Sequence, residues 1–156
     1  MSSISSTAKK EGVDFNELRE ISNSYVIPEQ ELKNRLSAFW IFIMINMAFA
    51  DIVGFSYPGF MAKLVAGGPI EGIVVTPTLL MIGALLLEIP TSMIILSRFL
   101  KKKFNRLFNI IAAVITIIYV TGMSSPTVVY WFFCSLEIVA SVMIIALAWK
   151  WRTTER

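Results

Sequence analysis

Four apolar stretches, Leu36–Tyr57, Pro77–Leu100, Leu107–Met123 and Pro126–Trp149, take up more than half of this 156-residue chain. Crossing a bilayer takes roughly 20 apolar residues in helical form. The third stretch is short, and Phe104 and Arg106 extend it toward the headgroups. Helices that are apolar all round need a non-aqueous surrounding, and with 16% charged residues the chain has too little polar surface to cover four of them. The sequence therefore predicts an all-α integral membrane protein, a four-transmembrane-helix bundle. Its transmembrane domain covers residues 28–151, with helices over about 28–57, 77–100, 104–123 and 126–150. Residues 1–27 form an N-terminal tail and 152–156 a C-terminal one. The first 35 residues hold no apolar core, so no cleavable signal is expected.

Several chemistries are excluded early. The one cysteine, Cys134, allows no internal disulfide and no Cys-x-x-Cys pair. There is no histidine, the commonest catalytic base and metal ligand. No glycine-rich phosphate loop and no nucleic-acid motif is present. No cofactor, no metal and no nucleic-acid partner is expected, and the pI near 9.1 reflects the loops.

Those loops set the expected orientation. Lys9, Lys10, Arg19, Lys33 and Arg35 precede the first span, and Arg98, Lys101, Lys102, Lys103 and Arg106 join the second to the third. Lys150, Arg152 and Arg156 follow the fourth, while the other two loops hold only Lys63. Basic residues accumulate on the cytoplasmic side, so both termini are expected there, in a multi-pass cell-membrane protein. Trp40, Trp149 and Trp151 are read as markers of the inner interface, and Tyr57, Tyr119, Tyr130 and Trp131 of the outer one.

Helix boundaries are signalled by proline and hydroxyl residues. Pro28 starts the first helix, and Thr76 and Ser125 are placed to cap the second and fourth. Pro90 lies inside the second span and predicts a kink. Asp14 to Ser22 suits a short helix with Phe15, Leu18 and Ile21 on one face. In the outer loop, Phe60 to Ala66 suits another, ended by Gly67-Gly68.

The second and fourth spans share a text. Thr76-Pro77-Thr78 matches Ser125-Pro126-Thr127, Leu87-Glu88-Ile89 matches Leu136-Glu137-Ile138, and Ser92 matches Ser141. The offset is 49 throughout, and seven of nineteen positions from Pro77 to Ile95 are identical. Asn34-Arg35-Leu36 and Asn105-Arg106-Leu107 extend the pattern to two tandem two-helix repeats in parallel orientation. Glu88 lies about 15 Å from Arg98 along the helix, and Glu137 about 20 Å from Lys150, so both belong near the bilayer midplane. An acidic residue there costs roughly 2.5–3.5 kcal/mol and by default suggests a function.

Each helix offers one polar face. Glu88 shares its face with Ser92, Thr91, Ala84 and Met81; Glu137 shares its face with Ser141, Ala140, Cys134 and Tyr130. The first helix contributes Asn46 and Asp51, and the third contributes Asn109, Thr116 and Tyr119. Turned inward, these faces would make a midplane site of Glu88, Glu137, Asn46, Asp51, Ser92, Ser141, Asn109 and Tyr130, with the two glutamates facing one another. Such a site suits a proton, a cation or a small amphipathic ligand.

Leu36-Ser37-Ala38-Phe39-Trp40 with Asn46 and Asp51, then Glu88-Ile89-Pro90 and Ser97-Arg98, resembles a bacterial family of small four-helix membrane proteins known only as a domain of unknown function. The resemblance covers about Leu32 to Trp151 and implies the topology without an activity. Small multidrug exporters carry their key glutamate in the first helix, and the first apolar span here, Leu36–Tyr57, has none. Sterol-isomerase-like proteins use acids with a His or Trp, and the His is missing. The leading expectation is a small membrane-embedded binding or transport module, with membrane lipid, a small cationic or amphipathic ligand and further copies of the chain as partners. A lipid-phase enzyme of sterol-isomerase-like type with paired carboxylates is one alternative, less expected than binding. A structural or accessory membrane subunit is the other.

Overall fold

A computed structural model describes residues 29–70, 72–122 and 127–151. The expected N-terminal tail with its Asp14–Ser22 helix, the Pro28 start, the Ser125–Pro126 helix entry and the C-terminal tail lie outside those residues. The chain divides into two compact units, Met1–Leu32 and Lys33–Arg156. The first is almost wholly outside the described residues, and the second is the subject below.

Four long helices carry the structure: α1 (Glu29–Phe55), α3 (Pro77–Phe99), α4 (Lys102–Gly122) and α5 (Val128–Lys150), with the short α2 (Phe60–Val65) between the first two. All four long helices have the length and apolarity to cross a membrane. Helices are the solution lipid demands, because every backbone N–H and C=O must be satisfied within the segment. α4 begins two residues before the expected boundary at 104.

Local chemistry explains the ends. Thr76 is extended (φ −109°, ψ 156°), and its hydroxyl accepts from the Leu79 N–H at 3.2 Å, with Pro77 at the first helical position. α5 is capped by Thr127, two residues beyond the expected Ser125, its hydroxyl accepting from the Tyr130 N–H at 3.3 Å. α2 closes with a Schellman motif: Gly68 N–H reaches the Lys63 carbonyl at 3.3 Å and Gly67 N–H the Leu64 carbonyl at 3.2 Å, with Gly67 at φ 67°. α3 runs through Pro90, whose ring is buried.

α4 is the central element and packs against both α3 and α5. Its small residues Ala112 and Ala113 are buried and allow close approach. α4 and α5 run antiparallel. The Tyr130 hydroxyl donates to the Val120 carbonyl at one end, and the Arg106 guanidinium lies 5.8 Å from the Trp149 ring centre at the other. α1 is tied in by hydrogen bonds to α3 and α4, and Leu36, Trp40 and Ile43 are wholly buried along it.

Trp40 corrects an expectation. Read as an interfacial anchor, it has no exposed surface, and its indole Nε1–H donates to Asn109 Oδ1 at 2.7 Å. A fully buried indole needs an acceptor for its N–H, and Asn109 supplies one.

Candidate functional site

Two polar clusters occupy the interior at different levels. The first lies toward the Lys101 end and is fully bonded. Asn109 Oδ1 accepts from Trp40 and also from the Ser97 hydroxyl at 3.2 Å. Asn105 Nδ2 donates to the Ser97 carbonyl at 2.6 Å across the tight α3–α4 turn, and Asn109 Nδ2 donates to the Asn105 carbonyl at 2.8 Å. Nearby, Arg98 Nε donates to the Ser37 hydroxyl at 3.0 Å, which in turn donates to the Ile94 carbonyl at 2.8 Å. Ser37, Ser97, Asn105 and Asn109 have no exposed surface. Saturated in this way, the cluster is a lock between three helices, and Asn109 belongs to it.

The second cluster lies farther from that end and is not saturated. Glu137 is 3% exposed, Thr116 1% and Ser141 not at all. Glu137 Oε1, Thr116 Oγ1 and Ser141 Oγ have no hydrogen-bond partner among the described residues. The contacts of Val120 with Tyr130 and Cys134, and of Arg106 with Trp149, fix the antiparallel register. In that register Thr116 on α4 falls at the level of Glu137 to Ser141 on α5, within about one helical turn. A buried polar group without a partner costs about 1–3 kcal/mol, so three at one level are a costly arrangement.

The remaining expected residues divide. Asn46 is buried on α1, its amide donating to the Phe42 carbonyl at 2.9 Å. Tyr130 is half-buried and bonded to Val120. Ser92 is half-buried, its hydroxyl returned to the Ile89 carbonyl of its own helix at 2.9 Å. Asp51 is exposed, toward the Pro58 end of α1.

Glu88 does not join them. It is exposed, on the side of α3 away from the packed core, and the expected pair of buried carboxylates reduces to Glu137 alone. The physical reason is helix phase. Ser97, Met93 and Pro90 are buried on α3, and Glu88 is nine residues before Ser97, about 180° around the helix. On α5 the buried set is Cys134, Glu137, Ala140, Ser141, Ile144 and Ala148, all within one face.

Sequence reading missed Ser37, Ser97 and Asn105. The available signal was the short distance in sequence from Ser97 through the Leu100–Lys101 turn to Asn105 and Asn109. Such a spacing lets polar side chains on two antiparallel helices meet at one depth.

α1 and α5 leave a groove of about 380 Å³ between them. Phe42 and Leu136 line its inner part, and Arg35 and Met143 line the part nearer the Lys101 end.

No curated protein and no solved structure matches the chain. Residues 26–156 match the model of a family of unknown function (DUF6326), and the chain belongs to that family.

Proposed function

We propose that this chain is a small membrane-embedded binding or transport module whose ligand-bearing group is Glu137. The ligand is a proton or a small cation, including small amphipathic amines, held by the carboxyl with the Thr116 and Ser141 hydroxyls as neutral partners. One observation carries the reading: three polar atoms from two helices, buried at one level, lack partners within the protein. A carboxyl serving only as glue between helices would be hydrogen-bonded to its neighbours. Asp51, toward the Pro58 end of α1, is an exposed acid on the side from which a cation would enter. The basic Lys101 end, by the charge bias of its loops, is the cytoplasmic one in this reading. Paired-carboxylate catalysis loses its second carboxyl, since Glu88 faces away, and no observation favours the enzyme reading.

Ligand-dependent stabilisation tests it, since a ligand that binds the folded state raises the melting temperature. Purified protein is melted in sodium, potassium and tetraethylammonium salts, from mildly acidic to mildly alkaline pH. A cation- or pH-dependent rise that disappears in Glu137→Gln supports the site. Identical profiles for the two proteins in every condition sink it.

A further inference from the structure

α3 is the least covered of the four membrane-length helices. Only 11% of its apolar window is buried, against 33% for each of α1, α4 and α5. Its open side is one continuous stripe: Met81, Ala84, Leu85, Glu88, Ser92, Ile95 and Phe99 recur at three- and four-residue spacing and fall within about 60° of a common line. Six of the seven are exposed, with Ser92 half-buried, and Phe99 keeps 82% of its surface. At the centre of this stripe stands Glu88, the middle residue of the 23-residue helix. A carboxyl at that depth facing hydrocarbon is a costly placement, and the Ser97 lock fixes the rotation that puts it there.

We infer that this stripe of α3 is the contact between two copies of the chain, related by a twofold axis along the membrane normal, with the two Glu88 carboxyls paired across it. The inference is independent of the Glu137 reading, because it uses the opposite side of a different helix. A partner for Glu88 must offer a polar group at the same midplane depth on an otherwise apolar face. A second copy inserted in the same orientation meets that condition without any further coincidence. Its own Glu88 stands at the same depth, and a twofold axis brings equal depths together. Two carboxyls meeting at one depth give each other a polar neighbour on an otherwise apolar face. Ala84, one turn away on the same stripe, is exposed and small, which lets the two backbones approach. Among the described residues no other acidic side chain is exposed at the middle of a membrane-length helix, since Asp51 lies near the end of α1.

Cysteine cross-linking in native membranes tests the contact directly. Cys134 is buried and is replaced by Ser, and single cysteines are placed at Leu85 or Ser92 on the stripe, with Val114 on α4 and Val142 on α5 as exposed controls. The expected result is a disulfide-linked homodimer from Leu85→Cys and Ser92→Cys and none from the controls. In lipid-dilution measurements with fluorescently labelled protein, Glu88→Leu is expected to weaken self-association roughly tenfold. Glu88→Gln, whose amide donates and accepts, is expected to keep most of it. Circular dichroism confirms that each variant is helical, and Ser92→Leu blocks the same face without touching the acid. The inference is overturned by a monomer at every lipid dilution, by cross-linking no different from the controls, or by cross-links from the stripe to a different protein with no homodimer.

Discussion

Ser97 and Glu88 lie nine residues apart on α3, about half a turn out of phase, so the rotation that buries Ser97 turns Glu88 outward. The equivalent positions on α5, by the 49-residue offset, are Ala146 and Glu137. There Ala146 is exposed and Glu137 buried. Two helices with the same Leu-Glu-Ile and the same following Ser thus present opposite faces. What differs is the inward anchor: on α3 a serine hydrogen-bonded to Asn109, on α5 an alanine without such a bond.

Removing the anchor is expected to be costly. Asn109→Ala leaves the buried Trp40 N–H and the Ser97 hydroxyl without their acceptor. At about 1–3 kcal/mol for each group orphaned, the expected loss is about 2–6 kcal/mol, measured as unfolding free energy in mixed micelles. Ala146→Ser, at the matching position of α5, should change stability by less than about 0.5 kcal/mol because it is exposed.

Much of the fold was legible because length and apolarity fix what a membrane helix can be. The boundaries followed from Pro77, Thr76 and the Gly67-Gly68 pair, each of which acts locally. The inward face of α4, with Asn109, Ala112, Ala113 and Thr116, was also readable, because that helix separates polar and small residues from large apolar ones. The facing of α3 was not. Lipid, unlike water, does not force apolar side chains inward, so an apolar helix carries little phase information beyond its polar residues. α3 has two candidate polar sides, one marked by Glu88 and Ser92, the other by Ser97. Which of them faces inward depended on Asn105 and Asn109 of the next helix, a tertiary fact. Trp40 escaped for a related reason: a tryptophan near the end of a span is usually interfacial, and only its acceptor on another helix shows otherwise.

Trp40 also offers an optical test of the lock. Its ring is wholly buried, whereas Trp149 keeps 67% of its surface. With Trp131, Trp149 and Trp151 replaced by Phe, the fluorescence of Trp40 is expected to resist quenching by brominated lipids of any bromine depth. A variant retaining only Trp149 should be quenched strongly by the shallow-brominated ones. Strong quenching of Trp40 would place its ring at the lipid surface, against the packing found.

The Schellman end of α2 gives a local prediction. Gly67 has φ 67°, and an added Cβ would meet nothing within 4 Å, so strain there comes from the backbone alone. Gly67→Ala is expected to cost about 1 kcal/mol, the penalty of the left-handed region for a residue with a side chain. Hydrogen exchange at Gly68 and Ala66, whose N–H groups bond back into α2, should accelerate about fivefold. The four long helices should exchange as before. Glycine-like protection in the variant would show that the loop takes up the strain elsewhere.

Replacing Glu137 separates stability from binding most sharply. The carboxyl is buried with Oε1 unpartnered, beside two equally unpartnered hydroxyls. Removing a polar group that has no bond forfeits little and relieves its desolvation. Glu137→Leu is therefore expected to stabilise the ligand-free protein by about 1–3 kcal/mol in the same micelle unfolding measurement. The reverse sign is expected once ligand is present, because the variant loses the stabilisation by mass action that the native carboxyl provides. Glu137→Gln should lie between, keeping the shape and a polar group but not the charge that attracts a cation. A destabilised Glu137→Leu in the absence of any ligand would mean that the carboxyl is already bonded within the protein, and the case for a site at this level would go with it. A variant more stable than the native chain yet blind to cations and pH would show a position whose polarity is retained at the expense of stability, as binding groups commonly are.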